Sequence, residues 1–262
     1  MESLQILSLE EFKVFLLILI RVSVVLFSFP IFGGQMLPML AKAGLSLVLA
    51  ILLYPIVSVD VSVFPKNIID VVMLMFCEGL IGLILGMTIR IFFGAVQMAG
   101  EVVGFQMGFS MINVVDPQMG TNVSIIEQIG YWVVMLLFLV LNGHHVFILG
   151  MAESFTIVKV GGVMMKKGLL DTLIALSVQM FILAIKIGAP AIAALFFVNV
   201  GFGITAKFAP TMNVMMVSFP VNISVGLLLF GFTLQITGEM TRHYVKNFYK
   251  LVSMLLVWLG GG

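Results

Sequence analysis

The chain has 262 residues, of which 61% are hydrophobic and 10% charged, with a net charge of +1 and a mean hydropathy of +1.23. A soluble domain carries about 25% charged residues, so this composition excludes a fold bathed in water and requires lipid or apolar protein as the surrounding medium. The near-zero charge gives no footing for nucleic acid.

Six apolar stretches follow in chain order, at 14–32, 44–58, 71–100, 129–151, 172–205 and 212–238. The fold class they predict is all-α, a polytopic membrane protein of about six long, partly bent hydrophobic helices. The stretch before residue 14 lacks the basic start and small-residue cleavage site of a secretory leader, so the first segment is expected to stay. A spanning helix needs about 20 residues to cross about 30 Å of hydrocarbon. The second stretch is short and interrupted at Tyr54-Pro55. Two others are too long: 71–100 would reach about 45 Å and 172–205 about 51 Å as single helices. They must tilt, break or continue into a protein-lined environment, and Pro190 is the expected kink in the later one. In the tail, Arg242, Lys246 and Lys250 recur every fourth residue and form a basic stripe, which favours a cytoplasmic C-terminus. The apolar run Leu251 to Leu259 is too short to span. Cys77, the one cysteine, sits in an apolar run and reads as a packed hydrophobe.

Charges inside these stretches are costly, about 3 kcal/mol each at the membrane centre. Arg21, Glu78, Arg90 and Lys186 are of this kind, with Glu101 just past the third stretch. They are candidates for pairing with other helices or other subunits; a transport pathway is the alternative. Gly79, Gly82 and Gly86 lie on one face, and Gly100, Gly104 and Gly108 continue a four-residue spacing. Small residues so placed let helix backbones approach closely, within the chain or between subunits.

The segment 105–122 is apolar yet loop-like, with Asp116-Pro117 as turn punctuation and Met107, Met111 and Met119 as adaptable side chains. A deformable plug in a pore fits these residues, and so does a plain surface loop. Irregular backbone at membrane depth is tolerated only where protein or a cavity surrounds it.

Motifs for chemistry are scarce. There is no phosphate loop, no His-Glu-x-x-His and no cysteine pair for zinc. His144 and His145 are adjacent, so their side chains diverge on a helix and chelate poorly. Ser110 with His144 could be forced into an intramembrane protease, but no oxyanion-hole signature accompanies them. The expectation is no enzyme, no metal and no cofactor.

Several runs carry a family resemblance. They are Arg21 with Phe29-Pro30-Ile31-Phe32-Gly33, Pro38 and Lys42; Glu78-Gly79 with Gly82 and Gly86; and Gly104, Gln106, Gly108 and Ser110 followed by Asp116-Pro117. Asn142-Gly143-His144 and Ser154 follow. The strongest is Ala206-Lys207-Phe208-Ala209-Pro210-Thr211-Met212-Asn213-Val214 with Phe219-Pro220. In order and spacing over most of the chain they resemble the FliR family, whose virulence-system relatives are called SctT or SpaR. Family members often carry Arg at the position of Lys207 and Gln at that of Thr211, so a two-pronged contact at 207 is in doubt.

The resemblance implies a subunit of a type III, flagellar-leaning, protein export gate in the bacterial inner membrane. Residues 1–170 would be a FliP-like part including the central loop, and 171–262 a FliQ-like hairpin with its basic tail. The partners implied are FliP-like and FliQ-like subunits, a FlhB-like protein at the cytoplasmic side, membrane lipid and unfolded export substrates. It also implies a pore plug made by Gln106, Met107, Gly108, Phe109, Ser110, Met111, Ile112, Val114, Val115, Asp116, Pro117 and Met119. Lys207 joins the charged residues with a pairing role. A small-solute secondary transporter is the rival class; it would work without different partner subunits, and inverted repeats would mark it, of which none is evident.

Overall fold

The computed structural model describes residues 9–33, 37–57, 67–109, 124–164 and 166–260. Among them the chain is helical, without a strand. The helices are α1 (Leu9–Ser28), α2 (Pro30–Gly33), α3 (Met39–Leu53), α4 (Ile68–Met107), α5 (Ile125–Val140), α6 (Gly143–Ile157), α7 (Lys167–Phe208) and α8 (Val214–Gly260). The protein is thus an all-α polytopic membrane protein. Three helices, α4, α7 and α8, are long and apolar enough to cross a membrane, and α5 with α6 forms a fourth, broken candidate.

Local chemistry sets the boundaries. Pro30 opens α2 and disfavours helical backbone at Phe29, so α1 stops at Ser28. Asn67 offers its side-chain oxygen to the Ile69 N–H and starts α4. Between α5 and α6 the helix breaks at Leu141-Asn142, where Asn142 takes a positive φ of 58°; Asn is among the few residues that adopt this conformation readily. The apolar stretch 129–151 is therefore two helices. The over-long stretches resolve the other way. They become unbroken helices of 40 and 42 residues, and α7 runs on through Pro190. The last stretch and the basic tail also merge, into one helix of 47 residues. At the standard rise α4 is about 60 Å long, twice the hydrocarbon thickness.

The chain forms two compact units. Unit 1 comprises 1–91, 143–176 and 247–262; unit 2 comprises 92–142 and 177–246. In unit 1, α1 buries Val14, Leu17, Ile18, Arg21, Val22, Val25 and Leu26, one continuous stripe at helical spacing that Phe29, just past its end, extends. Helix α3 packs on α1, with Tyr54 edge-on to Phe15 at 6.3 Å. The run after Lys250 does not need to span, because Val252, Leu255, Leu256 and Leu259 are buried here. The Met164 and Lys166 N–H groups donate to the carbonyls of Leu259 and Trp258.

Unit 2 is built on the second half of α4, α5, the rest of α7 and most of α8. Phe92 stacks on Tyr244 at 4.0 Å, and Phe93 meets Tyr131 and Phe138. A void of about 20 Å³, room for about one water, is lined by Gly100, Gly130, Gly188 and the threonines at 233 and 237, among others. Glycine substitutions here separate two cases. A Cβ on Gly130 would find Val96 at 3.7 Å and the Phe230 ring at 3.9 Å, ordinary contact. Gly130→Ala is expected to stabilise the fold by about 0.5–1 kcal/mol through helix propensity. A Cβ on Gly100 would lie 2.5 Å from the Glu127 Cα. Gly100→Ala should destabilise by about 1–3 kcal/mol. Thermal aggregation of the detergent-solubilised variants measures both signs.

Candidate functional site: a buried ion pair and the foot of the central loop

Two places collect the residues singled out by sequence. The first lies in unit 1. Arg21, from the buried stripe of α1, meets Glu78 of α4, Nε to Oε2 at 2.6 Å, with both side chains fully buried. The Arg21 fork also reaches the end of α6. Nη1 donates to the Ser154 carbonyl at 2.8 Å, and Nη1 and Nη2 both donate to the Val158 carbonyl at 3.2 Å. The guanidinium lies 4.2 Å from the centre of the Phe155 ring. Glu78 uses its other oxygen to accept the Gly161 N–H at 3.1 Å, in a turn where Gly161 has φ 76°. Each charge thus has a partner and each remaining polar atom has work, the condition under which a buried pair is tolerated. Arg21 thus satisfies the Val158 carbonyl just past α6 and adds a second donor to the Ser154 carbonyl, which already accepts the Val158 N–H at 3.0 Å.

Glycine makes the approach possible. A Cβ on Gly82 would lie 2.9 Å from the Arg21 carbonyl, and one on Gly86 would collide with Ser28. Helix α4 therefore lies directly on α1 through Gly82 and Gly86. Gly79 is different: nothing stands within 4 Å of its Cβ position. Arg90, exposed on α4, caps the end of α1, donating Nε to the Ser28 carbonyl at 2.9 Å and Nη2 to the Phe27 carbonyl at 3.0 Å. Glu101, Lys186 and Lys207 are exposed on their helices. Lys207 sits in the last turn of α7, where a cation complements the helix dipole.

The second place lies in unit 2. Helix α4 ends with the Phe109 N–H on the Gly104 carbonyl at 3.1 Å and the Gly108 N–H on the Phe105 carbonyl at 3.0 Å. With Gly108 at φ 92°, this is the paired hydrogen-bond cap that favours glycine in the left-handed position. Gly108 is required twice over, since a Cβ there would run into the Phe219 ring. Met107 is fully buried, against Gly226, and with Val103, Ile126, Ala191 and Leu195 it forms a core that Phe109 covers. So Met107, Gly108 and Phe109 are a packed foot, with Gln106 half-buried beside them. The other residues of the expected plug, Ser110, Met111, Ile112, Val114, Val115, Asp116, Pro117 and Met119, lie outside the described residues.

The profile of the bacterial export proteins, family 1, matches residues 12–248. The flagellar biosynthetic protein FliR of Bacillus subtilis (strain 168) is 32% identical over 259 residues, 96% of this chain and 98% of that protein. The chain belongs to family 1 of the bacterial export proteins, the FliR family. Further FliR proteins are similar: that of Aquifex aeolicus (strain VF5) is 28% identical over 244 residues, 92% of this chain and 93% of its own, and that of Escherichia coli (strain K12) is 26% identical over 238 residues, 91% and 90%.

The signature runs of this export protein have identifiable tasks in the fold. Ala206 to Val214 holds the end of α7, a Pro210 that cannot continue it, and Asn213, whose side chain accepts the Met216 N–H and opens α8. Phe219 seats Gly108. Sequence reasoning placed neither Phe219 nor the Ser154 and Val158 carbonyls at a site. The interhelix bond from Asn222 Nδ2 to Asn199 Oδ1 at 2.8 Å was also missed. Asn199 and Asn222 are amides inside apolar stretches, and that signal could have flagged them.

Proposed function

We propose that this FliR-family chain is a subunit of the flagellar protein export gate in the bacterial inner membrane. It would form part of the channel wall through which unfolded substrates cross, with residues after Phe109 as the plug. FliP-like and FliQ-like subunits would surround it, a FlhB-like protein would pack at the cytoplasmic entrance, and the C-terminus would be cytoplasmic. The parts 1–170 and 171–262 would take FliP-like and FliQ-like places, and the chain would be a passive conduit rather than an enzyme.

One observation carries this reading. Exposed large apolar side chains run along α7 from Leu170 through Phe181 and Phe197 to Phe208, about 57 Å of helix. A single bilayer covers about 30 Å of a helix, whereas this helix runs to roughly twice that. The uncovered apolar length calls for other apolar protein. The flagellar names of the relatives and the exposed cations Arg242, Lys246 and Lys250 support the assignment and the orientation. Deleting the gene from its host tests it. Cells are expected to lose flagellar filaments and the secretion of filament subunits while solute uptake stays normal; normal filaments would overturn the proposal.

A further inference from the structure

We infer that the unit 2 part of α4, residues 92–107, and α5 move as one body while substrates are exported, so that opening separates other helices and not these two. The inference rests on the channel-wall reading above. Within unit 2 the two helices meet along one seam. At one end Phe93 packs on Phe138 and Tyr131, with ring centres 5.8 and 5.6 Å apart. Next Val96 faces Gly130, then Gly100 faces Glu127, then Gly104 faces Ser124.

Gly100 rests on the Glu127 backbone, and Gly104 on the short Ser124 side chain. A Cβ on Gly100 would be 2.5 Å from the Glu127 Cα and 3.0 Å from its nitrogen; one on Gly104 would be 3.0 Å from the Ser124 Cβ and would collide with its hydroxyl. Flexible side chains can give way during a slide, but a helix turn resting on glycine backbone cannot. The Glu127 carboxylate also accepts a backbone hydrogen bond from Ser124, tightening the turn that rests there. Ile126, 1% exposed, anchors that turn in the core formed by Val103, Met107, Ala191 and Leu195. Elsewhere in unit 2, Gly201, Gly203 and Gly231 are exposed with nothing within 4 Å of their Cβ positions, and Phe196 and Phe197 are exposed too, so no comparable backbone seam forms on those faces.

The test is a cross-link across the seam in the full chain, expressed in its host. Gly104→Cys and Ser124→Cys are combined with Cys77→Ser, which removes the native thiol. Their Cβ separation of 3.0 Å needs a small adjustment to the roughly 3.5–4.5 Å of a disulfide. Oxidised cells are expected to secrete at the rate of the same cells after reduction. Export that stops on oxidation and resumes on reduction would overturn the inference. Should the pair fail to accumulate, Ser124→Cys alone serves. Its maleimide labelling should be equal in exporting cells and in cells whose proton motive force has been collapsed, and faster labelling during export would refute the rigid seam. Failure of the channel-wall reading has a separate signature, which is normal secretion in cells lacking the chain.

Discussion

Arg21→Ala is expected to abolish accumulation of the folded chain. The substitution leaves the Glu78 carboxylate buried without its cation and strips donors from the Ser154 and Val158 carbonyls. Removing one partner of a buried pair costs about 3–5 kcal/mol, a large fraction of the roughly 5–15 kcal/mol that holds a protein folded. Arg21→Lys should fail nearly as badly, because an ammonium cannot present the planar fork that reaches Glu78 and both carbonyls together. Glu78→Gln should also destabilise, because it leaves the buried Arg21 guanidinium without its counter-charge, but less than Arg21→Ala, since the amide can still accept the Gly161 N–H and Arg21 keeps its carbonyl acceptors at Ser154 and Val158. Pulse-chase degradation in the membrane fraction ranks the three. Arg21→Ala persisting as long as the unsubstituted chain would refute a structural role for the pair.

The second large effect concerns the central loop. Replacing residues 110–122 with a short Gly-Ser linker is expected to turn a closed gate into an ion leak when the partner subunits are present. The cut is placed after Phe109 because Met107 to Phe109 are packed into unit 2, and removing them would damage the wall along with the plug. Whole-cell conductance and growth at raised salt report the leak. Normal conductance with an assembled complex would mean that these residues do not seal the channel.

The sequence announced the membrane character, the helical class and the need of Arg21 for a partner, because a charge in an apolar run has few places to go. Glu78 was among the few acids inside the apolar stretches, so the pair was nearly legible. Its carbonyl partners were not, since every residue carries a carbonyl and only tertiary packing selects Ser154 and Val158. The glycines were legible as sites of close approach, but not what each approaches. Gly82 and Gly86 receive α1, Gly100 and Gly104 receive the first turn of α5, and Gly79 faces open space. Gly108 looked like another member of the repeat, yet it ends a helix at positive φ. Asn142-Gly143 breaks an apolar run because Asn accepts left-handed backbone, whereas Pro190 lies inside a helix that continues through it. Hydropathy registers neither event.

The most direct measurement is native mass spectrometry of the tagged chain, purified in mild detergent after co-expression with its FliP-like and FliQ-like neighbours. The gate account predicts one large complex in which a single copy of this chain is bound to several copies of each partner. A monomer, or a homo-oligomer free of both, would contradict it and return the long apolar helices to the reading of a self-sufficient transporter.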